Sequence, residues 1–105
     1  MIEDLNPKQF KDYLDNNTAI LVDVREQGEI NICKIDGSIS MPMSKGPEQY
    51  DELNPSDNVA IYCHHGMRSL QIAEFLESKG YESLFNLQGG IAAWSRDIDP
   101  SVDTY

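Results

Sequence analysis

The stretch that decides the fold reads Val59-Ala60-Ile61-Tyr62-Cys63-His64-His65-Gly66-Met67-Arg68-Ser69. Its first four residues form a short apolar run, which is typical of a strand buried on both faces of a sheet. From Ser69 onward, apolar residues recur at helical spacing, and Lys79-Gly80 has the character of a helix end. The sequence therefore predicts a strand that delivers Cys63 at its carboxyl end, then a loop and a helix.

The rest of the chain repeats this alternation of strands and helices. Further strands are predicted over 19–22, 38–40 and 83–87. Further helices are predicted after Asn6-Pro7, over 26–32 and 47–53, and after Gly89-Gly90 through Trp94. Such alternation predicts an α/β fold with a central, mainly parallel sheet and helices on both faces. We expect one domain, residues 1–105, whose acidic tail, 97–105, is loosely held.

The composition excludes several classes of partner. Eighteen acidic residues against eight basic ones give a net charge of −10 at pH 7. Such a chain repels nucleic acid and anionic membrane surfaces, and no apolar stretch approaches the ~20 residues that cross a bilayer. No signal peptide is visible, and two cysteines without CxxC spacing do not make a disulfide scaffold. We therefore expect a reducing cytoplasm as the compartment.

The loop after Cys63 has the features of an anion site. Ligands of open parallel sheets bind at the carboxyl ends of the strands, where the loop can turn its N–H groups inward. Gly66 allows unusual backbone conformations, and Arg68 adds a fixed positive charge. Both the N–H groups and Arg68 favour a thiolate or a persulfide anion on Cys63 without any metal or organic cofactor. No acidic residue occurs between Asp57 and Glu74, which suggests an anionic substrate.

The loop resembles the CxxGxRS loop of rhodanese-like sulfurtransferases. Three further segments are similar to motifs of that family, in the same order: Asp23-Val24-Arg25-Glu26 to DVRE, residues 35–42 to HIxGAxxIP, and residues 87–94 to LxGGxxxW. The resemblance implies a sulfane sulfur transferred from a donor such as thiosulfate, through a Cys63 persulfide, to cyanide, a thiol or a protein. It implies Cys63 and Arg68 as catalytic residues and, as the substrate-binding loop, His64, His65, Gly66, Met67 and Ser69.

The length and residues of the same loop bear on other functions. Phosphatases and arsenate reductases of this fold have one residue more between the cysteine and the arginine than the four found here, so their larger anion cradle is not expected. Rhodanese-like modules without catalysis usually lack the cysteine or the arginine, and this chain has both. A carrier that hands persulfide sulfur to a partner in a sulfur relay differs only in its acceptor and stays open. The donor also stays open between thiosulfate, a cysteine-desulfurase persulfide and glutathione persulfide.

The histidines of the loop have two interpretations. His64 and His65 either tune the thiolate and contact the donor, or contribute only their backbone N–H groups. Zinc is disfavoured, because three consecutive residues from Cys63 cannot easily converge on one tetrahedral ion.

Four residues outside the loop are given mainly structural interpretations. Asp23 and Arg25 are expected to form an ion pair that holds neighbouring loops, with a substrate contact by Arg25 as the alternative. Cys33 stands where the family usually has glycine; it is expected to pack as a small core residue, with a resolving thiol as the alternative. Trp94 is expected to pack in the core.

Overall fold

Five parallel strands form one sheet in the computed structural model, which describes residues 1–105. The order across the sheet is β1-β5-β4-β2-β3, and every neighbouring pair is parallel. The strands are β1 (Ile2–Leu5), β2 (Ile20–Asp23), β3 (Ile39–Ser40), β4 (Asn58–Tyr62) and β5 (Ser83–Leu87). The predicted parallel sheet is confirmed, and the strand that precedes Cys63 is its central strand.

Helices cover both faces of this sheet, as the alternation predicted. They are α1 (Pro7–Asn16), α2 (Gln27–Ile32), α3 (Met67–Ser78) and α4 (Gly90–Asp97), with 3₁₀ segments at Met43–Lys45 and Pro47–Glu52. Alternate side chains of β4 pack in two core clusters, one on each face of the sheet. Val59 and Ile61 pack on the side of α3, whereas Ala60 and Tyr62 pack on the side of α1 and α4. No helix is both long and apolar enough to span a membrane.

Strand β1 was not predicted. It has four residues, two of which are acidic, and its burial does not alternate, so it lacks the period-2 signal. It lies at the sheet edge and pairs with β5, with Asp4 opposite Asn86. This pairing brings an acidic residue from the start of the chain beside the candidate site.

The helix after Cys63 starts earlier than predicted. It begins at Met67 rather than Ser69, with Gly66 as its N-cap at φ 100°. This left-handed conformation, which residues with a Cβ rarely adopt, turns the chain directly into the helix. Arg68 and Ser69 therefore lie in the first turn of α3, where their positions are fixed.

The acidic tail makes more contacts than its composition predicts. Val102 packs against the core on the α1 and α4 side, and its carbonyl accepts a hydrogen bond of 2.6 Å from the Ser95 hydroxyl. Tyr105 contacts Arg25 and His64, which lies in the loop after Cys63. These contacts are formed by Val102 and Tyr105. The acidic charge of the segment did not indicate them.

Candidate active site

Cys63 is buried directly after β4, with 1% of its surface exposed. Its Sγ accepts the backbone N–H of Gly66 at 3.1 Å and lies 3.4 Å from the Ser69 hydroxyl. The sulfur atom therefore sits inside the turn that leads into α3, at the carboxyl end of the central strand.

The backbone around this sulfur is polarised. The carbonyls of Cys63 and His64 face α4, where they accept hydrogen bonds from the N–H groups of Ile91 (2.9 Å) and Ala92 (3.1 Å). Five N–H groups of the loop and first helical turn have no protein acceptor: those of His64, His65, Met67, Arg68 and Ser69. Unpaired N–H groups at a helix N-terminus bind anions, so the loop can hold a thiolate or a persulfide.

Two glycines let α4 approach this loop. A Cβ at Gly90, whose φ is +63°, would clash with the carbonyl of His64 and lie 2.6 Å from the carbonyl oxygen of Cys63. A Cβ at Gly66 would lie 3.2 Å from both Gly89 N and Leu87 O. Gly66 and Gly90 thus let α4 hold the loop carbonyls and leave the loop N–H groups free.

Arg68 is paired with an acid from a distant segment. Its Nη1 and Nη2 donate to the two carboxylate oxygens of Glu29 at 2.7 and 2.8 Å. The hydrogen bond from Arg68 is the main cause that lowers the pKa of Glu29 to about 2. No acidic residue lies near Cys63 in the sequence. In the folded protein, however, α2 brings the carboxylate of Glu29 to Arg68.

Asp23 and Arg25 form the expected ion pair, fully buried beside the site. Arg25 Nη2 donates to Asp23 Oδ2 and to the carbonyl of Cys33, both at 2.7 Å. A buried charge is stable only when it is paired and hydrogen-bonded, and Arg25 meets this requirement. The pair ties the end of β2 to the end of α2.

Cys33 lies at the C-cap of α2, half-buried and packed at the edge of the α1 and α4 side of the core. Arg25 Nη1 is 3.8 Å from its sulfur, and both cysteines of the chain are free thiols. Trp94 is buried in the same part of the core, edge-to-face with Phe10 at 6.3 Å between ring centroids.

Tyr105 covers one side of the loop. Its ring stacks on His64 at 3.9 Å, and His64 stacks on His65 at 3.8 Å. The Tyr105 hydroxyl accepts a hydrogen bond from Arg25 (3.0 Å) and donates one to Glu29 (2.7 Å). Burial raises the pKa of Tyr105 to about 12 and lowers the pKa of His64, so the phenol keeps its proton and the imidazole is mostly neutral at pH 7.

The predicted loop residues differ in their exposure. Cys63, Gly66 and Ser69 are buried, whereas His64 and Arg68 are partly exposed. His65 is exposed and Met67 presents 69% of its surface to solvent. The loop therefore places the sulfur and its donors inside and one apolar side chain outside.

Asn86 is a buried polar residue of β5 that contacts this loop. Its amide Nδ2 donates to the Gly66 carbonyl at 3.2 Å and to the Asp4 carboxylate at 2.9 Å, and its Oδ1 lies 2.5 Å from the Ser69 hydroxyl. One signal marks it in the sequence, since it is a lone amide inside an apolar strand. Glu29, Asp4 and Tyr105 carried no comparable signal.

Comparisons with known proteins find relatives along almost the whole chain. The sequence profile of the rhodanese-like domain matches residues 6–97. A protein of Allochromatium vinosum named sulfurtransferase is 34% identical over 97% of this chain and 96% of its own length. The chloroplastic rhodanese-like/PpiC domain-containing protein 12 of Arabidopsis thaliana is 37% identical over 99% of this chain, which spans 36% of that relative.

A solved structure extends the likeness to the fold. The rhodanese-related protein of Thermoplasma volcanium has a TM-score of 0.82 and 29% identity, covering 96% of this chain and 97% of its own. The motifs, the fold and these matches give one answer, and this chain belongs to the rhodanese-like domain family.

Proposed function

We propose that the protein is a rhodanese-type sulfurtransferase that carries sulfane sulfur as a persulfide on Cys63. The observation that supports this most directly is the surroundings of the Cys63 sulfur, which accepts the Gly66 N–H and lies beside loop N–H groups that have no protein acceptor. Such surroundings stabilise a thiolate before the reaction and a persulfide anion after it. The same set of donors serves both states.

The transfer has two steps that balance without a cofactor. The Cys63 thiolate attacks the outer sulfur of thiosulfate; the new S–S bond forms as the old one breaks, and the electron pair leaves with sulfite. An acceptor such as cyanide or a thiolate then attacks the terminal sulfur, and the electron pair of the S–S bond returns to Cys63. A covalent intermediate thereby divides one transfer into two easier steps.

The loop residues have proposed roles in this cycle. His64, His65, Gly66, Met67 and Ser69 form the substrate-binding loop and act mainly through backbone N–H groups. Arg68 adds positive charge beside the sulfur, and its ion pair with Glu29 fixes the first turn of α3. We propose a reducing, cytoplasmic setting, because the cycle needs Cys63 as a free thiol.

A sulfur carrier that delivers to a partner protein is the second candidate. One observation favours it, namely the exposed side chain of Met67 four residues after the buried sulfur, which offers an apolar contact to an acceptor. The persulfide chemistry is the same in both cases. The acceptor alone separates a carrier from a small-molecule sulfurtransferase.

Intact-mass spectrometry tests the proposal. We expect thiosulfate or a persulfide donor to add one sulfur atom, about 32 Da, and a cyanide chase to remove it. Cys63→Ala should abolish the gain, whereas the matched variant Cys33→Ala should retain it. A verified reduced protein that gains no mass with any sulfane donor would falsify the proposal.

A further inference from the structure

The Ser69 hydroxyl has two acceptors and one proton. It is fully buried, and its Oγ lies 2.5 Å from Asn86 Oδ1 and 3.4 Å from Cys63 Sγ. A hydroxyl donates one hydrogen bond at a time, so the two acceptors compete for it. Two oxygen atoms 2.5 Å apart need a proton between them, and an amide oxygen carries none, so we assign the Ser69 proton to Asn86 in this structure.

Asn86 cannot turn away from Ser69. Its Nδ2 faces the Gly66 carbonyl and the Asp4 carboxylate, and both of these groups are acceptors. A flipped amide would place oxygen against both oxygens, so the orientation is fixed. Because β1 and β5 pair with Asp4 opposite Asn86, the sheet register itself maintains the contact.

The competition depends on the charge of Cys63. A neutral thiol can donate its proton to Ser69 Oγ while Ser69 donates to Asn86, so all three groups are satisfied. A thiolate only accepts, and Ser69 must then leave Asn86 to stabilise it. The amide therefore stabilises the neutral thiol relative to the anion. The hydroxyl favours the anion, because its charge-assisted hydrogen bond to a thiolate is stronger than the hydrogen bond that it accepts from a thiol.

We propose that Asn86, held by Asp4, is a positioning residue that competes with the Cys63 anion for the Ser69 proton and thereby limits how readily Cys63 becomes nucleophilic. The chemistry rests on the proposed function only in treating Cys63 as the nucleophile. Ser69 is the group through which Asn86 acts. Removal of the acceptor and removal of the donor must therefore have opposite effects.

The test is the pH dependence of iodoacetamide alkylation, measured in a Cys33→Ala background so that one thiol reacts. Asn86→Leu should lower the pH of half-maximal rate and speed alkylation below it by roughly 3- to 10-fold, the range that one hydrogen bond supplies. Ser69→Ala should raise that pH and slow alkylation below it by a similar factor. Asn58→Leu and Ser78→Ala are matched controls on β4 and α3 and should leave the rate unchanged.

The double variant separates the proposal from a merely structural role. In the Ser69→Ala background, Asn86→Leu should produce no further acceleration, because the hydroxyl that it frees is gone. Shifts of the same sign in the two single variants, or an acceleration that persists without Ser69, would overturn the proposal.

Two variants of the exposed residue Asp4 test the proposal if Asn86→Leu does not fold. Asp4→Ala loosens the amide and removes a charge, whereas Asp4→Asn removes only the charge. We expect Asp4→Ala to accelerate alkylation by roughly 2-fold more than Asp4→Asn, and equal rates would count against the proposal. Alkylation requires no sulfur transfer. Failed sulfur loading with the expected shifts would therefore contradict the proposed function alone, and normal loading without the shifts would contradict this inference alone.

Discussion

Cys63 and Cys33 are both free thiols, yet their surroundings differ in kind. Cys63 is almost fully buried, accepts an N–H from Gly66 and lies at the N-terminus of α3. Cys33 is more exposed and sits at the C-terminal end of α2, where backbone carbonyls predominate and its own carbonyl binds Arg25. A helix N-terminus favours an anion and a C-terminus opposes it. The comparison teaches that backbone polarity, more than exposure, selects the candidate nucleophile.

The largest expected effect comes from breaking the Cys63 surroundings through α4. Gly90→Ala places a Cβ against the carbonyls of His64 and Cys63 at positive φ, so the loop must move. We expect a loss of about 2 to 3 kcal/mol in the free energy of unfolding and a roughly 100-fold or greater loss of thiocyanate formation. Urea denaturation and a cyanide assay measure the two effects.

Gly28→Ala is the matched control for this variant, near Cys33. A Cβ at Gly28 meets nothing within 4 Å, and the residue lies in α2. We expect it to stabilise the protein by about 0.5 to 1 kcal/mol with activity unchanged. An equal loss in both variants would show that an added methyl group is destabilising at either position, and it would contradict the role given to the loop carbonyls.

The second prediction concerns Glu29, which joins the Arg25 region to the loop. Its folded pKa of about 2 is below the ordinary value of 4.5, so its stabilising contribution is complete above pH 4.5 and lost as pH falls towards 2. Because the Arg68 pair is partly exposed, we expect Glu29→Gln to cost about 1 to 2 kcal/mol at pH 7. Urea midpoints of the two proteins should converge by pH 2; a constant difference across this range would contradict the prediction.

The smallest effect is expected for a variant of Arg68, which should change the alkylation rate of one cysteine and not of the other. Arg68→Ala removes a positive charge near the Cys63 sulfur, so iodoacetamide should alkylate Cys63 roughly 3- to 5-fold more slowly below pH 7. Peptide mass spectrometry should show Cys33 unaffected. Arg96→Ala, on the exposed surface of α4, is the control. An unchanged Cys63 rate would remove Arg68 from the proposed mechanism.

Much of the fold and part of the candidate site are legible in the sequence. The apolar runs of β2, β4 and β5 and the helix boundaries at Asn6 and Lys79-Gly80 are local signals, and the structure confirms the elements that they predicted. Strand β1 was not predicted, because two of its four residues are acidic and its apolar residues do not alternate with polar ones. The loop was predicted since its residues are contiguous. Glu29, Tyr105 and Asp4 were missed, because only the three-dimensional fold brings them to the loop.

The pairing of β1 with β5 has a consequence for synthesis of the chain. It joins segments about eighty residues apart, and such long-range pairing forms late in folding. Cys63 is also synthesised before the residues that enclose it, Asn86 and Gly90. The surroundings of Cys63 are therefore completed only after β5 and the start of α4 have been added to the chain. Until then, Cys63 is an ordinary thiol without the ordered N–H groups and the Ser69 hydroxyl that surround it in the folded protein.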